Sequence, residues 1–325
     1  MNNTSDDYLN CRGNMSNASM ILFVILNFFS GLAAFSGNTL VLVAVYYLRG
    51  HRKPSHYFLA SLAVADLSVG VIMNPVLASK AVLSIWQGEH WLSKTADFMW
   101  LQTTTATALS LCAVSYDRYA AIRGVFSYQS LLTRPRAILI ILTIWLFSIL
   151  IGTSRLFVRN PNAHSVLWIS STLLTVIIPL LLIAYCYTKI YTAAKIQRQK
   201  IAENALTRKQ TRNSLKNKKA AYTVGIVIGV FVVLWIPSFA ASVAEMIVPH
   251  GSDMRLRIDH AWFWIALLAY SSSGANPWIY SIRMREFRSV LRRKVLARHP
   301  LSRYHVTGNA MARNGSTRSE FESTG

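Results

Sequence analysis

The sequence predicts an all-α membrane protein built as a bundle of seven transmembrane helices. Of its 325 residues, 53% are hydrophobic and only 14% are charged, and the mean hydropathy is +0.32. This composition is too apolar for an ordinary soluble domain. Seven apolar stretches also approach the roughly 20 residues that a helix needs to cross the hydrocarbon of a bilayer.

The apolar stretches lack the continuous polar face that the helices of a soluble bundle would show. The fourth stretch, "AILIILTIWLFSILIG", is an example. In chain order, the predicted spans cover residues 20–48, 57–80, 95–117, 137–154, 165–188, 220–247 and 261–282.

Each span has a feature of its own. The first is too long for a cleaved signal peptide, so we expect it to act as its own insertion signal. The third ends at the charged pair Asp117 and Arg118. Four other spans contain a proline, which predicts a kink because proline removes an intrahelical hydrogen bond. These prolines are Pro75, Pro179, Pro237 and Pro277.

The distribution of basic residues predicts the topology. The net charge is +21, and 27 of the 34 Lys and Arg residues fall in segments 49–56, 118–136, 189–219 and 283–325. Cytoplasmic loops carry such an excess, which places the N-terminus outside the cell. The basic balance therefore indicates contact with anionic inner-leaflet lipid and not with nucleic acid.

The chain divides into a tail, a membrane domain and a second tail. Residues 1–19 are expected to form an extracellular glycosylated tail, and residues 20–295 the seven-helix domain. Residues 296–325, rich in Ser, Thr, Arg and Gly, are expected to be a disordered cytoplasmic tail. Glycosylation sequons, which are useful only in the secretory lumen, occur at Asn2, Asn3, Asn14 and Asn17.

Three polar residues lie at one depth inside the apolar spans. They are Asn38, Asp66 and Asn276. A carboxylate in hydrocarbon needs a cation, a proton or several donors. With the hydroxyls of Thr107, Ser272 and Ser273, Asp66 is expected to complete a shell of oxygens for a hard monovalent ion. The alternative is a protonated Asp66 that is held only by hydrogen bonds.

Over residues 20–295 the chain resembles a rhodopsin-like (class A) G-protein-coupled receptor. The resemblance depends on one signature in each span, in the order and spacing of the family. These signatures are "GN" with Asn38, "LAVAD" with Asp66, "DRY" at Asp117, Arg118 and Tyr119, Trp145, Pro179 with Tyr187, Phe231 with "WIP" at Trp235 to Pro237, and "NPWIY" at Asn276 to Tyr280, which includes Pro277.

The resemblance implies roles for these residues. In such receptors the arginine at Arg118 is held by its neighbouring aspartate at rest and meets the G protein on activation, helped by tyrosines that match Tyr187 and Tyr280. The aromatic pair at Phe231 and Trp235 relays ligand contact to a swing of the sixth helix about Pro237. The mid-membrane polar residues match the family's sodium pocket, which would bind an allosteric ion and not a catalytic cofactor.

The resemblance also implies parts at the inner membrane face. Residues 281–295, "SIRMREFRSVLRRKV", match an amphipathic helix that lies along the membrane with its apolar side toward lipid. A heterotrimeric G protein is the expected partner there, and arrestin is a second one.

The chain departs from the family pattern near the outer face. The family usually ties the third helix to the second outer loop by a disulfide, yet Ser93 occupies the helix position and the short loop has no cysteine. This departure resembles melanocortin and lysophospholipid or cannabinoid receptors. A retinal pigment is excluded, because Tyr270 replaces the Schiff-base lysine.

A second departure concerns the ligand. Amine receptors carry an aspartate eighteen residues before the DRY arginine, and here that residue is Trp100. We therefore expect a small or amphipathic ligand, with an atypical amine as the alternative. Charges near the outer ends, at Lys80, Asp97 and Glu245, are interpreted as solvated rim charges. The expected ligand residues are Asp97, Trp100, Leu101, Thr104, Ser171, Thr175, Phe239, Trp262 and Tyr270.

A third departure lies at the cytoplasmic end of the sixth helix. Many relatives restrain the DRY arginine with an acid twenty residues before the WIP proline, and here that residue is Asn217. Only Asp117 is left as an anionic clamp. We therefore expect signalling without ligand.

Taken together, the sequence predicts a multi-pass plasma-membrane receptor that binds an extracellular ligand and activates a heterotrimeric G protein. It is not expected to be an enzyme, because the spans contain no paired metal ligands and no nucleophile motif. The alternative from another class is a seven-helix transporter or channel. Continuous polar lining across both halves of the bundle would favour that alternative.

Overall fold

The computed structural model describes residues 15–48, 53–85, 90–123, 128, 131–157, 167, 170–202, 208–248, 252–283 and 289–290. Within these residues the chain forms seven long helices, which confirms the predicted all-α bundle. They are α1 (Asn17–Tyr47), α2 (Pro54–Val82), α3 (Trp91–Arg123), α4 (Arg134–Phe157), α5 (Leu173–Ile177 continued by Ile178–Ala202), α6 (Arg208–Ile247) and α7 (Asp253–Arg283).

Five of the described helices are long and apolar enough to cross a membrane, namely α1, α2, α4, α5 and α6. Helices α3 and α7 are equally long but more polar, with the hydroxyl runs "TTTAT" and "SSS" in their middle. Helix α3 packs against α2, α4, α5 and α6. Because these neighbours shield its polar side chains from lipid, α3 tolerates residues that an outer helix could not.

Two of the four prolines follow a wider helical turn. Val69–Met73 and Leu173–Ile177 are π-helical, and they end shortly before Pro75 and Pro179. In each, the residue after the segment donates its backbone N–H to a carbonyl five residues earlier. The wider turn accommodates a residue that has no N–H to donate. Pro277, by contrast, lies inside a continuous α-helix, as does Pro237.

Glycines allow the helices around the polar centre to approach closely. A Cβ atom on Gly37 would lie 2.8 Å from the ring atoms of Pro277, which joins α1 to α7. A Cβ atom on Gly70 would lie 2.9 Å from the backbone oxygen of Gly31, which joins α2 to α1. Any side chain at either position would push two helices apart.

Several predicted features lie outside the described residues. These are Asn2, Asn3, Asn14, the tail at 296–325 and most of the amphipathic stretch at 281–295. Of that stretch, Val290 is described, and it packs against the core. Helix α1 begins at Asn17, three residues before the predicted span, and Ser16 caps it by accepting a 3.2 Å bond from the Ser19 backbone N–H.

Candidate functional site

A cleft opens among α3, α5 and α6, in the half of the bundle opposite to Asp117 and Arg118. The cleft is narrow, with about 20 Å³ available to the centres of water-sized molecules. Its lining residues are Trp100, Leu101, Thr104, Thr172, Thr175, Val176, Trp235, Ser238, Phe239 and Ser242. Five of the nine expected ligand residues are among them: Trp100, Leu101, Thr104, Thr175 and Phe239.

The other four expected ligand residues are not among the lining residues. Trp262 and Tyr270 each place a ring 5.4 Å from that of Trp100. Ser171 is buried, and its backbone oxygen accepts a bond from Thr175. Asp97 interacts electrostatically with Lys80, a buried residue of α2.

The sequence analysis did not assign four lining residues to the ligand site. It assigned Trp235 to the activation switch but not to the lining of the cleft. Thr172 and Val176 lie four residues apart on α5, and Ser238 and Ser242 lie four residues apart on α6. Residues at this spacing share one helix face. Helical spacing from Thr175 and Phe239, which were predicted as ligand residues, therefore indicated these lining residues.

A chain of aromatic rings connects the cleft to the middle of the bundle. Trp100 lies 5.2 Å from Trp235, centroid to centroid, and Trp235 stacks on Phe231 at 5.3 Å. Trp235 Nε1 also donates a long hydrogen bond of 3.4 Å to Ser272 Oγ. The predicted aromatic pair thus contacts both the cleft and the polar centre.

The polar centre is built around Asp66, which is only 1% exposed. Asn276 Nδ2 donates a 2.7 Å hydrogen bond to Asp66 Oδ2. Asn38 Nδ2 donates to the backbone oxygens of Ala34 at 2.8 Å and Ser273 at 3.1 Å. These bonds connect α1, α2 and α7 at one depth.

Two oxygens of this centre have no hydrogen-bond partner among the described residues. They are Asp66 Oδ1 and Asn38 Oδ1, and both are buried. The Ser273 hydroxyl lies close enough to interact with the Asp66 carboxylate. Thr107 and Ser272 are also buried. A buried carboxylate among neutral oxygens is chemically suited to a hard cation.

A second buried polar pair joins α1 to α2. Asn27 Nδ2 donates to the backbone oxygen of Asn74 at 2.6 Å, and Asn74 Nδ2 returns a bond of 2.8 Å to the backbone oxygen of Asn27. Sequence reasoning missed this pair, although both amides lie within apolar stretches. Trp145 has a similar role for α4, since its Nε1 donates a 3.0 Å bond to Ser61 Oγ on α2.

The predicted ion pair lies near the C-terminal end of α3. Arg118 Nη2 lies 2.5 Å from Asp117 Oδ2, and Asp117 is fully buried. Tyr128 donates its hydroxyl to the other carboxylate oxygen at 2.8 Å. Burial raises the pKa of Tyr128 and the nearby Asp117 carboxylate raises it further, so the hydroxyl keeps its proton. Tyr128 was missed because no pattern marks it.

A small apolar cluster joins α3, α5 and α6 near the same end of α3. Ile122, Ile190 and Ala221 form a small cluster against which Tyr119 packs. The Tyr187 hydroxyl donates to the backbone oxygen of Ala221 at 3.0 Å, which links α5 to α6. Asn217 and Tyr280 lie within α6 and α7, but their side chains are outside what the structure describes.

Comparison with known proteins identifies the family. Residues 37–280 match the 7 transmembrane receptor (rhodopsin family). The chain belongs to this family. It is therefore a G-protein-coupled membrane receptor of a multi-pass, plasma-membrane type and not an enzyme, and neither a transporter nor a channel is favoured.

The relatives found in the comparison are receptors as well. The chain is 26% identical to 5-hydroxytryptamine receptor 1B of Felis catus, over 89% of this chain and 88% of that protein. It is 28% identical to trace amine-associated receptor 365 of Petromyzon marinus, over 78% of this chain and 73% of that protein.

Proposed function

We propose that this receptor has its N-terminus outside the cell and binds a small or amphipathic extracellular ligand in the cleft among α3, α5 and α6. The observation that carries the proposal is the position of Trp235. Its ring lines the cleft, stacks on Phe231 and hydrogen-bonds to Ser272 beside the polar centre. A ligand that displaces this ring would disturb both neighbours.

The polar centre is proposed to bind a sodium ion. The buried atoms Asp66 Oδ1 and Asn38 Oδ1 support this proposal, because neither accepts a hydrogen bond within the described part of the chain and a bound ion would interact favourably with both. Asp66, Asn38, Ser273 and the hydroxyls of Thr107 and Ser272 would hold the ion. The ion would supply a positive charge that favours the resting arrangement.

The cytoplasmic end is proposed to couple to the G protein through Arg118. At rest, Asp117 holds the guanidinium and the cluster of Ile122, Ile190 and Ala221 closes the end of the bundle. Outward movement of α6 would separate Ala221 from the other two residues. Arrestin is proposed as a second partner at this face, and anionic lipid is proposed to contact the basic segments.

A cleft-filling substitution tests the ligand site. A ligand-library screen with a promiscuous G-protein reporter first supplies an active compound. Ser242→Trp fills the cleft, whereas Val243→Trp adds the same ring at the next residue, which is 55% exposed on the lipid side. We expect Ser242→Trp to lose the response and Val243→Trp to keep it at equal surface expression. Equal responses would show that the ligand binds elsewhere.

A further inference from the structure

Helix α6 contains two glycines, Gly225 and Gly229, in nearly the same sequence surroundings. They lie four residues apart, and each is flanked by two β-branched residues, in the sequences "VGI" and "IGV". Glycine inside a helix is less favourable than alanine, because it has more conformational freedom to lose. A glycine in this place therefore calls for a structural reason, and the structure shows one at Gly225.

The ring of Tyr187 on α5 lies against Gly225. A Cβ atom on this glycine would lie 3.0 Å from Cε1 of Tyr187 and 3.6 Å from its Cζ and its hydroxyl oxygen. Two carbon atoms in favourable contact are about 3.5–4.0 Å apart, so 3.0 Å is too close. A methyl group at residue 225 would therefore have to displace the tyrosine ring by a few tenths of an ångström.

The hydroxyl of Tyr187 explains why its ring comes so close to α6. It donates a 3.0 Å hydrogen bond to the backbone oxygen of Ala221. In an α-helix the oxygen of residue 221 also accepts the backbone N–H of residue 225. A carbonyl oxygen has two lone pairs, so it can accept both bonds. The tyrosine shares this oxygen with Gly225, and its ring therefore passes beside the glycine to reach it.

The tyrosine ring has little room to give way. Tyr187 is partly buried and packs against the core of the bundle. One turn later on α5, Ile190 packs in the apolar cluster with Ile122 and Ala221. A displaced ring would lengthen its hydrogen bond to Ala221 or move α6 away from α5. Either change weakens the contact between the two helices at the end of the bundle that contains Arg118.

The second glycine of α6 lacks this contact. A Cβ atom on Gly229 would meet no atom of the described residues within 4 Å, and Gly229 is exposed on the surface of the bundle. The same substitution at either glycine changes the helix propensity of α6 equally. Only the contact with Tyr187 distinguishes the two positions, so Gly229 is a matched control for Gly225.

We infer that Gly225 is a positioning residue that seats Tyr187 on α6 and thereby holds α6 against α5 in the resting receptor. This inference rests on the proposed coupling through Arg118, in which α6 moves outward, and it names the residue that permits the closed arrangement. The Tyr187 hydroxyl also interacts electrostatically with Arg118. Release of the ring therefore changes the surroundings of this arginine as well.

Substitutions of increasing size test the seat. Gly225→Ala, Gly225→Val, Gly229→Ala and Gly229→Val are expressed in the full-length receptor at matched surface levels, and G-protein activation is recorded without ligand. We expect Gly225→Ala to raise the signal on the order of threefold to tenfold, and Gly225→Val to raise it further, because a larger side chain displaces the ring more. Both Gly229 variants should stay at the wild-type level. A merely structural fault at residue 225 would lower surface expression without raising the signal.

Removal of the tyrosine ring provides an independent measurement. In a Tyr187→Leu background, a side chain at residue 225 has no ring to displace. The thermal midpoint is measured for the purified wild type, Gly225→Val, Tyr187→Leu and the double variant. We expect Gly225→Val to lower the midpoint of the wild type and to have no further effect in the Tyr187→Leu background. This cycle reports the contact whether or not Tyr187→Leu signals.

Two results would overturn the inference while leaving the proposed function intact. One is a Gly225→Val signal equal to that of Gly229→Val in a receptor that responds to an active compound from the library screen. The other is an equal drop in thermal midpoint from Gly225→Val in both backgrounds. Gly225→Ala, the smaller change, decides the comparison with Gly229→Ala if Gly225→Val does not reach the surface. A receptor that activates no G protein with any compound would refute the proposed function, and the inference with it.

Discussion

Under the coupling proposed for Arg118, Tyr128→Phe is expected to weaken the contact that holds this arginine at rest. The substitution removes one hydroxyl, which donates a 2.8 Å bond to Asp117 Oδ1. Asp117 is fully buried and holds Arg118 through its other oxygen at 2.5 Å. Without Tyr128, the carboxylate loses a donor that fixes its orientation toward the arginine.

The magnitude follows from the type of bond. A hydrogen bond to a charged group contributes about 1.5–3 kcal/mol. Lost only from the resting state, it would raise the ratio of active to resting receptor by roughly tenfold to a hundredfold, since each 1.4 kcal/mol is about a factor of ten. This is an upper limit, because the active state also loses any contact that it makes with Tyr128. A several-fold rise in ligand-free signalling is expected.

The assay measures G-protein activation without ligand at matched surface expression. Tyr191→Phe is the control, because Tyr191 is 71% exposed on α5. Asn217→Glu is expected to act in the opposite direction, since it restores the acid that many relatives place on α6. A silent wild type, a Tyr128→Phe signal at or below that of wild type, or no effect of Asn217→Glu on an active receptor would refute the reasoning.

Two further predictions concern the middle of the bundle. Asp66→Asn is expected to abolish the thermal stabilisation of the purified receptor by NaCl, measured relative to choline chloride. At a sodium concentration tenfold above Kd, binding to the native state stabilises the wild type by ~1.4 kcal/mol. Equal sodium effects in both proteins would exclude Asp66 from the site. Gly37→Ala is expected to lower the thermal midpoint, because its Cβ would lie 2.8 Å from Pro277 and overpacking costs about 1–3 kcal/mol. Gly229→Ala, whose Cβ would have no neighbour within 4 Å, is the control, and an equal midpoint in the two variants would contradict the close packing of α1 on α7.

The fold was predictable because a bilayer restricts the choices. Backbone groups in hydrocarbon must be satisfied within the segment, so a long apolar stretch has to be helical. Asp66 and Asn276 were predictable for a related reason, since polar groups at bilayer depth need partners and these two are hydrogen-bonded at 2.7 Å. The same rule applied to Asn27 and Asn74 would have found their reciprocal bonds.

The features that were not predicted depend on where a side chain or a turn lies in the structure, and the pattern of polar and apolar residues does not indicate this. Tyr128 lies between the third and fourth predicted spans, and nothing in the sequence aims its hydroxyl at Asp117. The sequence predicts a kink at Pro75 and at Pro179, but it does not indicate that a π-helical turn precedes each proline. A kinked α-helix and a helix with a wider turn have the same apolar pattern. Glu245 was interpreted as a solvated rim charge, and the sequence does not indicate that its Oε1 accepts a hydrogen bond from Trp262 Nε1.

The distance between the cleft and the ion pair limits how a ligand can act. Trp100 and Asp117 lie on the same helix and are separated by about 25 Å at 1.5 Å per residue. No charged residue lies between Asp97 and Asp117 on α3, so a direct electrostatic path along this helix is absent. Coupling must therefore pass through packing, and Trp235 on α6 is the side chain that contacts the cleft, Phe231 and Ser272 together. Because α6 also carries Ala221 of the cytoplasmic cluster, a shift of Trp235 that rotates α6 would loosen the closure around Arg118 without any contact between ligand and arginine.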